Sequence, residues 1–243
     1  MRTLLSAFCC LLIPAAASAQ SPADIIARAV TAHGGDAVAK MKYVAHSSKG
    51  RVNLLGVDVP AVRSARWALP ERAYWDLEFT QAGTKLRTRI AIVGVGGWQQ
   101  VNNSPAADLP PAAFDTMAEE AWLFWLVSVA PLSGKGLAFG PAEPATVNGE
   151  PALGVVVTKA GRPDVYLWFS KATGLLVKAR FRGSDGGQPT TKEFVFSGHK
   201  EFEGVKLPTR LVDYANNIRM GDWEITEWKF SEKLNAEDFK KPN

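Results

Sequence analysis

The feature that most constrains this chain is a change of hydrophobic period near Tyr43. Before it, apolar residues recur at helical spacing; after it they alternate one for one with polar residues, in segment after segment. In Ala73-Tyr74-Trp75-Asp76-Leu77-Glu78-Phe79 the odd positions are apolar and the even ones mostly polar. Lys85, Arg87 and Arg89 alternate with Leu86, Thr88, Ile90 and Ile92; Lys178, Arg180 and Arg182 alternate with Val177, Ala179 and Phe181. Successive strand side chains point to opposite faces, so each segment makes one wet and one dry face, as in antiparallel sheet covered on one side only. Turn signals separate the runs: Ala82-Gly83, Gly96-Gly97, Asn148-Gly149, Thr173-Gly174, Asp185-Gly186-Gly187, Glu203-Gly204 and Gly221-Asp222. They predict a meander of hairpins with about ten or eleven strands. An open twisted sheet of that size curls or closes. The expected fold class is mainly β, a strongly curved antiparallel sheet with accessory helices.

Two segments keep helical spacing. Ser21-Pro22-Ala23-Asp24 opens a helix, with Ser21 as cap and Pro22 at its first position, and Ile25, Ile26, Ala29 and Val30 share one face. Gly34-Gly35 stops it, and Asp36 starts a further short helix to Met41. The second segment interrupts the meander. Thr116-Met117-Ala118-Glu119 reads as a capping box, Pro131 as a stop, and Phe114, Met117, Ala118, Ala121, Trp122, Trp125 and Val129 follow helical spacing. Leu123, Phe124, Leu126 and Val127 add apolar bulk on the other sides, so this helix must be buried on more than one side or touch something else.

Residues 1–19 read as a secretory signal peptide: Met1-Arg2-Thr3, an apolar run from Leu4 to Ile13, then an A-x-A arrangement ending at Ala19. Both cysteines, Cys9 and Cys10, fall inside it, and Phe8 is too bulky for a lipoprotein box ending at Cys9. The expected mature chain is a single domain, 20–243, cysteine-free, exported to a bacterial periplasm. The formal net charge of +4 is too small and too dispersed for a nucleic-acid binder.

Motifs for chemistry are missing. His33, His46 and His199 have no metal-ligand spacing, and neither a G-x-S-x-G elbow nor a P-loop is present. The expectation is a non-enzyme with no metal and no cofactor. Aromatic residues say more: a curved sheet can enclose a volume its own side chains do not fill. Trp75, Phe79, Ile90, Ile92 and Phe181 are the candidate walls of such a hydrophobic cavity, and Trp122 and Trp125 the candidate lid. The basic rows read as solvated faces, with peripheral attraction to an anionic membrane as their functional reading.

Short motifs at both ends of the chain carry a resemblance. Tyr166-Leu167-Trp168-Phe169-Ser170 followed by Thr173-Gly174-Leu175-Leu176-Val177-Lys178, then Phe202-Glu203-Gly204-Val205-Lys206-Leu207-Pro208, and the ending Ala236-Glu237-Asp238-Phe239-Lys240-Lys241-Pro242, resemble periplasmic lipoprotein-sorting proteins of the LolA/LolB-like superfamily. The helix, Gly-Gly break and first strand from Ile25 to Met41 and beyond are similar to theirs as well. The resemblance implies an unclosed half-barrel with helices plugging its concave side, and a cavity that takes acyl chains or another hydrophobic molecule. The function expected is a monomeric periplasmic carrier for a lipid or an acylated protein. The alternatives are an envelope protein-interaction module with a filled barrel, and a hydrolase or isomerase acting on a lipid-like substrate in the same cavity.

Overall fold

The computed structural model describes residues 20–68, 72–185, 187–231 and 236–242. The expected leader, residues 1–19, lies outside the described residues. Helices α1 (Pro22–His33) and α2 (Asp36–Ala39) come first. Six strands follow: β1 (Tyr43–Leu54), β2 (Val57–Ala68), β3 (Arg72–Gln81), β4 (Thr84–Val93), β5 (Gly96–Val101) and β6 (Ala107–Asp108). Helix α3 (Pro111–Val127) and a 3-10 turn (Ala130–Ser133) interrupt them. The rest is β7 (Ala138–Val147), β8 (Glu150–Thr158), β9 (Val165–Ser170), β10 (Leu176–Asp185), β11 (Gln188–Ser197), β12 (Lys200–Phe202), β13 (Val205–Leu207), β14 (Arg210–Ala215), β15 (Ile218–Ser231) and a closing 3-10 turn (Ala236–Phe239).

Thirteen strands form one antiparallel sheet in the order β6-β5-β4-β3-β2-β1-β15-β14-β11-β10-β9-β8-β7, not closed into a barrel, and β12 and β13 form a separate hairpin. The strand count exceeds the expected ten or eleven because short pieces such as β6, β12 and β13 carry too few residues to show alternation. The order describes two meanders. The first runs outward from β1 at the centre to β6 at one edge; the second starts at β7 on the opposite edge and returns to β15, which pairs with β1. Residues 109–137 therefore have to pass from one edge of the sheet to the other, and α3 makes that crossing.

Both edges are blunted. β7 carries Pro141 and Pro144 and a register shift between Ala142 and Ala145, and β5 is capped by the short β6. Ser21 caps α1 as expected, its Oγ accepting from Asp24 N at 3.2 Å. At the far end Gly34 has φ +126°, and a Cβ there would stand 2.3 Å from Gly204 O, so glycine is required twice over. α3 departs from the expected start. It begins at Pro111, whose missing N–H costs nothing in the first turn, and Thr116 lies inside the helix, donating to Ala112 O at 3.0 Å. It stops at Val127, before Pro131; the chain turns at the fully buried Val129, a β-branched residue at φ +65°.

Candidate ligand site

Strand register groups the residues that share the face on which the helices and the core pack. One row across the sheet runs Thr88, Leu77, Arg63 and Ser48; the next runs Leu86, Phe79, Ala61, Gly50 and Trp223. A third holds Ile90, Trp75, Ala65 and His46. On the other half, Phe194 and Phe196 of β11, Phe181 and Ala179 of β10, and Leu167 and Val165 of β9 face the same way.

α3 packs chiefly on β10 and touches β2 and β4. Phe124 stacks on Trp67 with ring centroids 5.1 Å apart and meets Phe194 edge-on at 5.3 Å. The carboxylate of Glu119 accepts from Ser184 N at 2.7 Å, the hydroxyls of Thr116 and Ser184 lie 3.2 Å apart, and Glu120 pairs with Lys192. Thr116, Ala121, Trp122, Leu123, Phe124 and Leu126 are all buried, so the helix is covered on more than one side, as its apolar surface requires.

The candidate residues separate into two groups. Trp75, Phe79 and Ile90 form a half-buried strip with Leu77 and Leu86 between them, and Ile92 continues it into the buried core opposite Ala73. Phe181 is 1% exposed and belongs to the packed core of the other half. Trp122 donates its Nε1 to Pro163 O at 3.0 Å, its ring lies 5.2 Å from that of Trp125, and Lys159 Nζ stands 5.7 and 5.5 Å from the two rings. These two tryptophans thus face the β8–β9 connection. Phe124 and Val127 are the α3 residues that line the space beside Val44, His46 and Trp67.

An enclosed cavity of about 30 Å³ lies under α3, among Val44, His46, Trp67, Phe124, Phe196 and Trp228. That is room for water, against roughly 300–1,000 Å³ for a small-molecule pocket. A larger, open depression of about 970 Å³ spans the hairpin-tip end of the central strands, with Gly50, Phe79, Gly198, Arg210 and Arg219 among its lining.

Sequence reasoning missed the polar side chains on this face. His46 is buried between the rings of Trp67 and Trp228, at 5.3 and 5.0 Å, and burial, aided by Arg63, pushes its pKa well below the usual imidazole range. Arg63 lies 3.7 Å from Asp213, whose carboxyl burial pushes up while Arg63 opposes the shift. A signal was present: Arg63 interrupts the dry row Val59, Ala61, Ala65, Trp67, and Lys192 interrupts the row of Phe194 and Phe196. On the opposite face three of the six bases in the two rows pair with acids. Arg87 grips Asp76 (Nε–Oδ1 2.8 Å), Lys85 meets Glu78 at 2.8 Å, and Lys178 meets Glu193 at 2.7 Å. Arg180 lies over Tyr166 and Trp168, 5.3 and 5.1 Å from the ring centroids.

Among the described residues no group of His, Cys, Asp or Glu is placed to hold a metal ion, and no helix is long and apolar enough to cross a membrane.

No protein-family model matches the chain, and no curated protein does. Solved structures do. A LolA superfamily protein from Nitrosomonas europaea aligns over 92% of this chain and 99% of its own, with 14% identity and a TM-score of 0.57. A DUF1329 family protein from Desulfovibrio piger aligns over 91% and 98%, with 13% identity and a TM-score of 0.59. An outer membrane lipoprotein-sorting protein domain from Vibrio parahaemolyticus aligns over 90% and 96%, with 12% identity and a TM-score of 0.53. The chain has the fold of the LolA superfamily, as its end motifs implied.

Proposed function

We propose that this protein is a non-enzymatic carrier for a hydrophobic ligand, a lipid or the acyl chains of a lipoprotein, working as a monomeric single domain, 20–243, in the periplasm after cleavage near Ala19. The observation that carries the reading is the strip Trp75, Leu77, Phe79, Leu86 and Ile90: contiguous by register, on one face of the sheet, and partly rather than fully buried by the protein's own residues. A monomer gains nothing by leaving aromatic surface partly wet, whereas an apolar ligand laid there gains roughly 0.8 kcal/mol for each CH₂ removed from water. The likeness to lipoprotein-sorting folds supports the same reading. In this reading the small cavity under α3 belongs to the unloaded protein, with Phe124 occupying the place of a chain.

The filled space under α3 also favours a second reading, an envelope protein-interaction module that needs no cavity. Titration of the mature protein with a fluorescent fatty acid separates the two. The carrier reading expects saturable binding that weakens about tenfold or more in Trp75→Ala/Phe79→Ala, since each truncation removes a large apolar contact. Absence of binding by the folded wild-type protein, together with no lipid found by mass spectrometry of the purified material, would leave the interaction module.

A further inference from the structure

The guanidinium of Arg63 is held on two sides and open on the third. Its plane lies over the Trp223 ring, 4.1 Å from the centroid. Nη1 is 3.7 Å from Asp213 Oδ2. The remaining edge, Nε and Nη2, is buried and has no hydrogen-bond partner among the described residues. That edge presents two parallel N–H bonds, the fork that takes both oxygens of a carboxylate or phosphate. Buried donors seldom stay without an acceptor, and here two sit on one edge of one residue.

The surroundings are built for this side chain. A Cβ on Gly221 would stand 2.2 Å from Trp223 Nε1 and 2.5 Å from Asp213 Oδ1, so the bare glycine makes room for both groups beside Arg63. Arg63 lies opposite Leu77 in the β2–β3 register, at the middle of the partly buried strip.

We propose that the open edge of Arg63 seats the head of the ligand, which is an amphiphile with a long apolar chain and a carboxylate or phosphate head, the chain lying along Trp75, Leu77 and Phe79. This rests on the carrier reading. The head reaches Arg63 when α3 shifts, because the edge is closed to solvent in this state. Asp213 and Glu120 already place two carboxylates near Arg63, and Lys192 holds Glu120; the incoming anion uses the edge that neither acid occupies.

The test is calorimetric titration of the mature protein with hexadecanoate, hexadecyl phosphate and hexadecanol, which share one sixteen-carbon chain. One of the two anions is expected to bind about tenfold tighter than the alcohol, the value of one charge-assisted hydrogen-bonded contact, and whichever does so identifies the head. Arg63→Gln is expected to bring that anion down to the alcohol's affinity while hexadecanol binding stays within about twofold, which also shows that the variant is folded. If Arg63→Gln does not fold, Arg63→Lys, which keeps the charge and loses the fork, is expected to cut the preference at least about threefold. Equal wild-type affinity for all three ligands, or a preference unchanged in the folded variant, overturns the headgroup seat and leaves the carrier reading standing. Binding of none of the three removes both.

Discussion

His33 is 2% exposed at the end of α1, its Nδ1–H donating to Ala29 O at 2.8 Å and its Nε2 accepting from Leu176 N at 3.3 Å. Burial lowers its pKa from 6.5 to about 4. The unfolded chain then takes up a proton that the native ring refuses, so stability falls as pH drops from about 6.5 towards about 4. Between pH 7 and 5 this amounts to about 2 kcal/mol. Because His46 and His199 are also held below the usual imidazole range, urea unfolding at the two pH values should show at least that loss, and His33→Gln should reduce it by about 2 kcal/mol; an equal loss in both proteins would refute the assignment. Gly221 makes a second residue-level case. Gly221→Ala would press a methyl against Trp223 and Asp213, and is expected to cost roughly 1–3 kcal/mol in urea unfolding, where an ordinary exposed strand glycine would gain from alanine. Gly221-Asp222 and Gly96-Gly97 both read as turns in the sequence and both lie within strands. The turns are at Asn216-Asn217 and Gly94-Val95. A glycine kept for close packing looks the same in one dimension as a glycine kept for its backbone angle. Gly97, whose Cβ would meet Ala91 O at 2.4 Å, repeats the point.

At the scale of elements, alternation made β3 and β4 legible down to which residues share a face, because a one-sided strand writes its dry face into the sequence. α3 was legible as a buried helix, but not in its direction of facing: on a helix apolar nearly all round, nothing local says that Trp122 turns to Pro163 and Phe124 to Trp67. The polar pins that hold it were illegible too, since Glu119 and Ser184 are 65 residues apart. They give a direct test of whether α3 must move. The Thr116 and Ser184 hydroxyls are 3.2 Å apart, close enough for sulfur atoms in their places to bond with small adjustment. Thr116→Cys/Ser184→Cys should lose fatty-acid uptake when oxidised and regain it on reduction. Uptake unaffected by a formed bridge would show that loading leaves α3 in place.

For the molecule as a whole, curvature followed from strand number, and the order of strands followed from hairpins that keep sequence neighbours adjacent. What the pattern could not show is that the second meander begins on the far edge and is joined to the first by β1 and β15. That pairing links residues 43 and 231, and no local rule reaches so far. It leaves 109–137 strung between the two flanks like the cord of a bow, with the sheet as its stave. A cord tied at both ends has a limited reach, so α3 is confined to the span between the two edges it joins and is held over the sheet by its own connections as well as by its packing on β10.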